Sequence, residues 1–510
     1  MLYESHSSCS CPPAEKKRNL VVCIDGTSYQ VGVDAERSSN VFRFFCHLTD
    51  SPEQRKYYKN GIGAPDGHGH MSPTKMIGDT LDLAIAWNID KGITEAYSWL
   101  SERYRPGDRI YLLGKHEWHA AIFTTLRRGD VGYSRGAYQV GLLPEGNKEH
   151  IPRAWSLYSN CINSEAAGKA AFFKTRMSIP GVSVHFVGVW DTVSSVGLVS
   201  RARLPLSDSC DHICIFRHAL ALDEQRVKFE PECAFNGGRP PLRDAKEVWF
   251  AGSHGDIGGG EGLPEDTLNI ETVPLQWMEH EALMAGVLFH PHKIMWSVDG
   301  LLKAAPHKSL HGAWRLLEVI PVRRQTQTNP KEASRTLHNG RGRAIYPGQK
   351  IHASVAFMDQ HYKPKATFKH APTLDWTYVV GHGPSGHFLR YPEWNERLDL
   401  DLFDVNAGQE WMSILRRNEV CAGGALRLLN RLDFISSLRD GDKAFAGIED
   451  AVPILQQHLS CQEPEVYYTA ARLLAKLAMS NNLAATSLLR GMGMNDQALM
   501  PGSDINVVRE

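Results

Sequence analysis

The chain has 510 residues, 42% hydrophobic and 22% charged, so it is long enough for two or three domains and can bury a large core. Its 56 Lys and Arg stand against 57 Asp and Glu with no long run of one sign, which excludes a nucleic-acid partner or a polybasic membrane surface as its organising feature. No apolar stretch approaches the roughly 18 residues that a bilayer span needs, and the first residues lack a signal-peptide core, so the expected location is intracellular and cytoplasmic.

Residues 1–18 hold Cys9 and Cys11 among Ser and Pro and read as a disordered leader. The ten cysteines are scattered, several in apolar runs such as that around Cys23, and read as reduced thiols. Residues 19–25, NLVVCID, form a short apolar run that predicts a buried parallel strand. Ligands gather at the carboxyl ends of such strands, so the turn Asp25-Gly26-Thr27 is placed to contribute. An N–H of Gly26 or Thr27 can face a developing oxyanion, and Asp25 can orient the loop. A turn that uses Asp and Gly for backbone reasons alone fits this stretch equally well.

A helix over 40–47 and a strand over 56–59 follow. The segment DGHGHMS, 66–72, is rich in Gly and His, yet no regular element fixes ligand geometry there, so it reads as a solvent loop. Ile93, Ala96, Tyr97, Leu100 and Tyr104 mark one face of a helix that Pro106-Gly107-Asp108 stops, and 109–114 then reads as a strand.

Residues 132–138, GYSRGAY, contain a G-x-S-x-G pentapeptide, which can form a sharp strand-to-helix turn that exposes its serine. Ser134 is the candidate nucleophile, and Arg135 follows it with an N–H placed for an oxyanion. With 44 glycines, chance supplies roughly 0.25 such matches in a chain this long, so the surroundings must decide. Two flanking features depart from what an elbow requires. Residues 115–131 separate the obvious strand from the serine, and only Ala137 to Leu143 remain before the next Pro and Gly, about two helical turns. His116-Glu117-Trp118-His119 falls one residue short of a metalloprotease motif and is rejected as a metal site.

Residues 181–190 read as a strand ending at Asp191, where a hydrolase places the acid that orients its histidine. Residues 217–231 read as a helix with a charged face, and Cys210, His212 and Cys214 fit no common zinc spacing and read as structural. A strand near 247–252 leads into Ser253-His254-Gly255-Asp256 on a glycine-rich loop. His254 is the candidate general base because it comes third in the order Ser, Asp, His at a strand end. Asp256 reads as support for that loop.

Taken together, LVVCIDGT, PGDRIYLLG, GYSRGAY, VGVWDTVSSVG, RHALALDEQR and SHGDIGGG resemble the α/β-hydrolase catalytic domain of type VI secretion phospholipase effectors and their fungal and bacterial relatives, over about residues 18–300. The resemblance implies an α/β fold with a mostly parallel sheet flanked by helices, and Ser134, Asp191 and His254 as nucleophile, acid and base. It implies a lipid or other ester substrate, peripheral membrane contact, and neither cofactor nor metal. In the family the strand runs straight into the elbow, so 115–131 read as an insertion and the stretch after Val140 as a deletion. These flanks predict a displaced elbow and impaired turnover.

The domain boundaries expected are 19–370 for the catalytic domain, 371–445 for a lid or connecting region, 446–490 for one armadillo-like helical unit and 491–510 for a tail. In the helical unit Val466, Ala470, Leu473 and Leu477 share one face. Such a unit offers a surface to a protein partner. An inactive hydrolase fold serving as an interaction module is therefore the second reading.

Overall fold

The computed structural model describes residues 18–26, 37–60, 79–115, 140–159, 164–193, 213–233, 244–292, 294, 297–310, 315, 318, 324–326, 329–334, 338–369, 375–382, 397–399, 408–417, 422–436, 451–480 and 482–492. One sheet dominates. Its strands are β1 (Asn19–Ile24), β2 (Gln54–Lys59), β3 (Arg109–Gly114), β4 (Val184–Trp190), β5 (Ile213–Ala221), β6 (Asp244–Phe250), β7 (Lys350–His352) and β8 (Leu398–Asp399). They lie in the order β8-β7-β6-β5-β4-β3-β1-β2, and every adjacent pair is parallel. The fold is thus α/β. The strand order reverses at β1, so the crevice beyond the carboxyl ends of β1 and β3 is where such a sheet places its chemistry.

The central strands are buried on both faces, as their near-continuous apolar runs require. Val21, Cys23, Tyr111 and Leu113 enter one core, while Leu20, Val22, Ile110 and Leu112 enter the other, because successive side chains point to opposite faces. Helices α2 (Asp79–Arg103), α3 (Ile151–Ser159) and α4 (Ser164–Met177) supply the second core through residues such as Ile93, Leu100, Tyr158 and Phe173. Helix α1 (Asn40–His47) covers the first face through Val41 and Phe44. The short α5 (His254–Gly258) follows β6, and α6 (Thr272–Met284) lies beside α1.

Every residue of α6 from Thr272 to Leu283 is buried, which a helix on the outside of a sheet would not allow. The reason is a further layer: α7 (Gly408–Arg417), α8 (Ala422–Ile435), α9 (Ala451–His458), α10 (Pro464–Met479) and α11 (Leu483–Gly491) share one apolar core with α6. Polar anchors fix this layer. Arg431 donates to the Gln276 carbonyl at 2.8 Å, and Arg427 pairs with Glu279 at 3.2 Å. The observed helices begin at Gly408, upstream of the helical unit drawn from the sequence, and Val466, Ala470, Leu473 and Leu477 are buried in α10. Among the described residues no helix is long and apolar enough to cross a membrane.

One strand differs from expectation. The segment from Arg217 was expected to form a helix, but Arg217–Ala221 is the second half of β5. Its charges mimic a helical face in sequence. In the structure β4 and β6 grip the strand from both sides, and the buried Arg217 is neutralised by Asp244 at 2.8 Å and by Glu281 of α6. Strand pairing therefore overrides the local pattern.

Candidate active site

The carboxyl ends of β1, β3, β4, β5 and β6 deliver Asp25, Lys115, Asp191, Asp223 with Glu224, and His254 to one rim of the sheet. Asp191 follows β4 directly and adopts a left-handed φ of 45°, a conformation that a short Asp side chain tolerates better than most. The turn sends its carboxylate back over the sheet edge. There its N–H donates to the Ala219 carbonyl at 2.7 Å, and the Ala221 N–H donates to its Oδ1 at 2.9 Å.

His254 opens α5 rather than riding on a loop. Ser253 and Asp256 form a reciprocal capping box that holds this short helix, and Asp256 Oδ2 accepts from the Ser253 N–H at 2.6 Å. Gly252 makes the corner possible: its φ is 127°, and a Cβ there would lie 2.6 Å from the Asp256 Cβ. His307 donates to the same carboxylate from its ring Nδ1 at 2.5 Å and from its N–H at 3.1 Å. That bond raises the His307 imidazole to about 9, so it stays protonated at neutral pH.

The structure brings Asp191 and His254 together, with His254 Nδ1 2.7 Å from Asp191 Oδ2. Burial alone would raise the Asp191 carboxyl, but Arg343 and then His254 outweigh it and hold the group well below its ordinary value. Arg343 Nη1 lies 2.5 Å from Oδ1 and Nη2 lies 3.0 Å from Oδ2, a two-pronged pairing. Burial pushes the His254 imidazole down to about 4, and the Lys115 cation adds to this against the upward pull of Asp191. The ring is therefore neutral at pH 7. Its Nδ1 must carry the proton, because an ionised Asp191 can only accept, and Nε2 is left with a lone pair to act as a base. The Phe229 ring meets the imidazole edge to face at 5.0 Å.

The remaining predicted residues divide. Asp25 is buried at the end of β1, where its Oδ1 accepts from the Gly26 N–H at 2.7 Å and its Oδ2 from Tyr58 at 2.8 Å and from Ser39, the N-cap of α1. Asp25 thus ties the β1 exit to α1 and β2, and its hold on Gly26 engages the N–H expected to face an oxyanion. Ser134, Arg135 and Thr27 lie outside the described residues, as do 116–131 of the expected insertion, the 66–72 loop, the leader up to 17 and the tail from 493.

Sequence reasoning missed several groups. Arg343 carries no local motif and meets Asp191 only through the fold. Lys115 was read as the start of an insertion, yet it is buried at the end of β3, and its Nζ lies 1.9 Å from where a Cβ on Gly258 would sit. Asp223 and Glu224 were assigned to a helix. Instead Asp223 accepts from the Gly252 N–H at 2.9 Å and Glu224 from the His254 N–H at 3.2 Å, so they fix the turn that presents His254. A carboxylate pair just past an apolar run was the available signal.

Elsewhere His47, Glu279 and His292 bring ligand atoms within 4.8 Å of one another. Arg427 already holds that cluster, pairing with Glu279 at 3.2 Å and with His292 Nδ1 at 2.7 Å, so it reads as a clamp between α1, α6 and α8.

A family model described as the catalytic domain of Tle1-like phospholipase effectors of the type VI secretion system matches residues 18–116 and 121–281, just over half of the chain. An uncharacterized protein of Saccharomyces cerevisiae is 28% identical over 241 residues, which cover 42% of this chain and 32% of that protein. The chain therefore spans about a third of this relative's length. A crystal structure of an uncharacterized protein from Pseudomonas aeruginosa aligns with 95% of this chain and 63% of its own, at 14% identity and a TM-score of 0.30.

Proposed function

We propose a function from one premise: the chain belongs to the family of type VI secretion phospholipase effector Tle1-like catalytic domains. Membership suggests a phospholipase-type hydrolase. The finer reading is a serine ester hydrolase that acts on lipid esters through Ser134, His254 and Asp191. The observation that carries it is the buried pair formed by Asp191 and His254, with the imidazole neutral and its Nδ1 proton committed to the carboxylate.

In this reading the Ser134 hydroxyl attacks the ester carbonyl as its proton passes to His254 Nε2, and Asp191 stabilises the imidazolium that forms. The N–H groups of Arg135 and Thr27 receive the oxyanion, and loss of one such donor costs about 3 kcal/mol in the transition state. His254 then protonates the departing alcohol. A water molecule, deprotonated by the same nitrogen, releases the acyl group and restores Ser134. The phospholipid class comes from the family, and the helices from Gly408 onward are read as a surface for a protein partner.

A second reading, an inactive hydrolase fold used as an interaction module, draws on the segment after Gly114. β3 ends there in a buried Lys115, the resemblance implies a strand that runs straight into the elbow, and the family model leaves residues 117–120 of the intervening stretch unmatched. A fluorophosphonate probe separates the two. Labelling of the full chain that vanishes in Ser134→Ala supports the hydrolase; a folded protein that takes no label supports the interaction module.

A further inference from the structure

We propose that Arg343, which lies beyond the family-matched residues, is a positioning residue that keeps Asp191 ionised and aimed at His254, so that the pair is complete only when the segment 338–369 is docked. This rests on the hydrolase reading for its consequence in catalysis and on geometry alone for its existence.

The geometry is that of a built site. Asp191 is fully buried, and an ionised carboxylate there needs compensation that backbone donors alone supply poorly. Arg343 is itself 4% exposed and reaches both carboxylate oxygens, while its Nη groups also donate to the carbonyls of Ala221 at 3.2 Å and of Phe229. The fork is thus locked at both ends. A lysine could supply the charge but not the two parallel bonds.

The backbone that carries Arg343 is equally fixed. Ala344–Ile345 pairs with Thr367–Phe368, and the Thr367 N–H donates to the Arg343 carbonyl at 2.9 Å. Gly342 lies so close to the Lys365 carbonyl that a Cβ would sit 1.7 Å from its oxygen. Ala366 and Lys365 in turn donate to Leu222 and Asp223, at 2.9 and 3.2 Å, on the turn that follows β5. The segment therefore closes over the carboxyl end of β5, and Arg343 is the side chain it delivers to Asp191. His307, also beyond residue 281, supports Asp256 beneath His254 in the same way.

The charged groups around the pair are Arg343, Lys115, Arg226, Glu224 and Glu230. Of these, Arg343 bonds Asp191 directly. Removing it leaves the Asp191 charge less compensated, which favours a proton on the pair.

The test uses the full chain with Arg343→Gln and Arg343→Lys. NMR of the His254 ring nitrogens, which needs no turnover, should show the pair taking up a proton at least about one pH unit higher in Arg343→Gln, with Arg343→Lys closer to the parent. Fluorophosphonate labelling of Ser134 should slow by roughly 10²-fold in Arg343→Gln with less loss in Arg343→Lys. A folded Arg343→Gln protein whose imidazole titrates as in the parent overturns the proposal. If Arg343→Gln does not fold, Arg343→Lys decides: labelling at the parental rate without the fork overturns it. Absence of labelling in the parent with the NMR shift intact would sink the hydrolase reading and leave the role of Arg343 standing.

Discussion

Two buried carboxylates stand at strand ends on one rim of the sheet, with β3 between them, and meet opposite fates. Asp191, after β4, has an arginine and an imidazole and is held well below its ordinary value against burial. Asp25, after β1, has hydroxyls from Ser39 and Tyr58, the Gly26 N–H and, as the weakest pull, the Lys115 cation, and burial wins, raising it. Hydroxyl and amide dipoles satisfy lone pairs without supplying a countercharge, whereas a guanidinium does both. Position at a strand end thus decides where a carboxylate goes, and its partner decides what it can do there.

Exchanging each carboxylate for its amide breaks the comparison most sharply. Asp191→Asn should lower Ser134-dependent ester turnover by about 10⁴-fold, because the amide can no longer enforce the Nδ1 tautomer. Asp25→Asn should lower it by less than about tenfold, an indirect effect of a loosened β1 exit. Steady-state kinetics on a soluble ester measures both, and equal losses would erase the distinction.

The next effect concerns the cation facing the imidazole. Lys115→Met removes a charge that pushes His254 down, so the ring should titrate about one pH unit higher than its value of about 4, and the acid limb of kcat/KM should follow. An unchanged limb would mean that burial alone sets the value.

The pH dependence of stability sharpens the contrast further. The Asp25 carboxyl is raised in the fold, so its contribution is full below its unfolded value near 4 and is lost as pH rises through the folded value. Asp25→Asn should therefore gain thermal stability relative to the parent as pH is raised from 4. A Tm difference that stays flat as pH rises above 4 would contradict the assignment.

The smallest effect belongs to His307, whose side chain is partly exposed. Its imidazole is raised to about 9 by Asp256, so the bond supports the fold fully below about pH 6.5 and is lost as pH rises through 9. His307→Gln should lower Tm below about pH 6.5, where the parent has the full contribution, and converge with the parent above pH 9, which flattens the alkaline decline.

Much of the sheet was legible because its strands are short, apolar and punctuated: the runs ending at Asp25, Gly114 and Asp191 needed only their hydrophobicity to be found. β5 was not, since Arg217 and His218 make its sequence look amphipathic, and only the fold shows the carboxylates of Asp244 and Glu281 compensating Arg217 and Glu247 Oε1 lying 3.3 Å from His218 Nδ1. The order of Asp191 and His254 along the chain could likewise be read, but their approach to 2.7 Å could not.

By itself, then, the sequence determined which residues end strands, and hence which side chains gather at one rim, because burial and turn chemistry are local consequences of residue type. Tertiary structure alone decided their charge states. Arg343 meets Asp191 from 152 positions away, the Lys115 cation acts on the His254 imidazole, and among the described residues Asp25 takes its hydrogen bonds from hydroxyl and amide donors. Electrostatic free energy inside a protein depends on distance and burial in three dimensions, and no one-dimensional pattern encodes those.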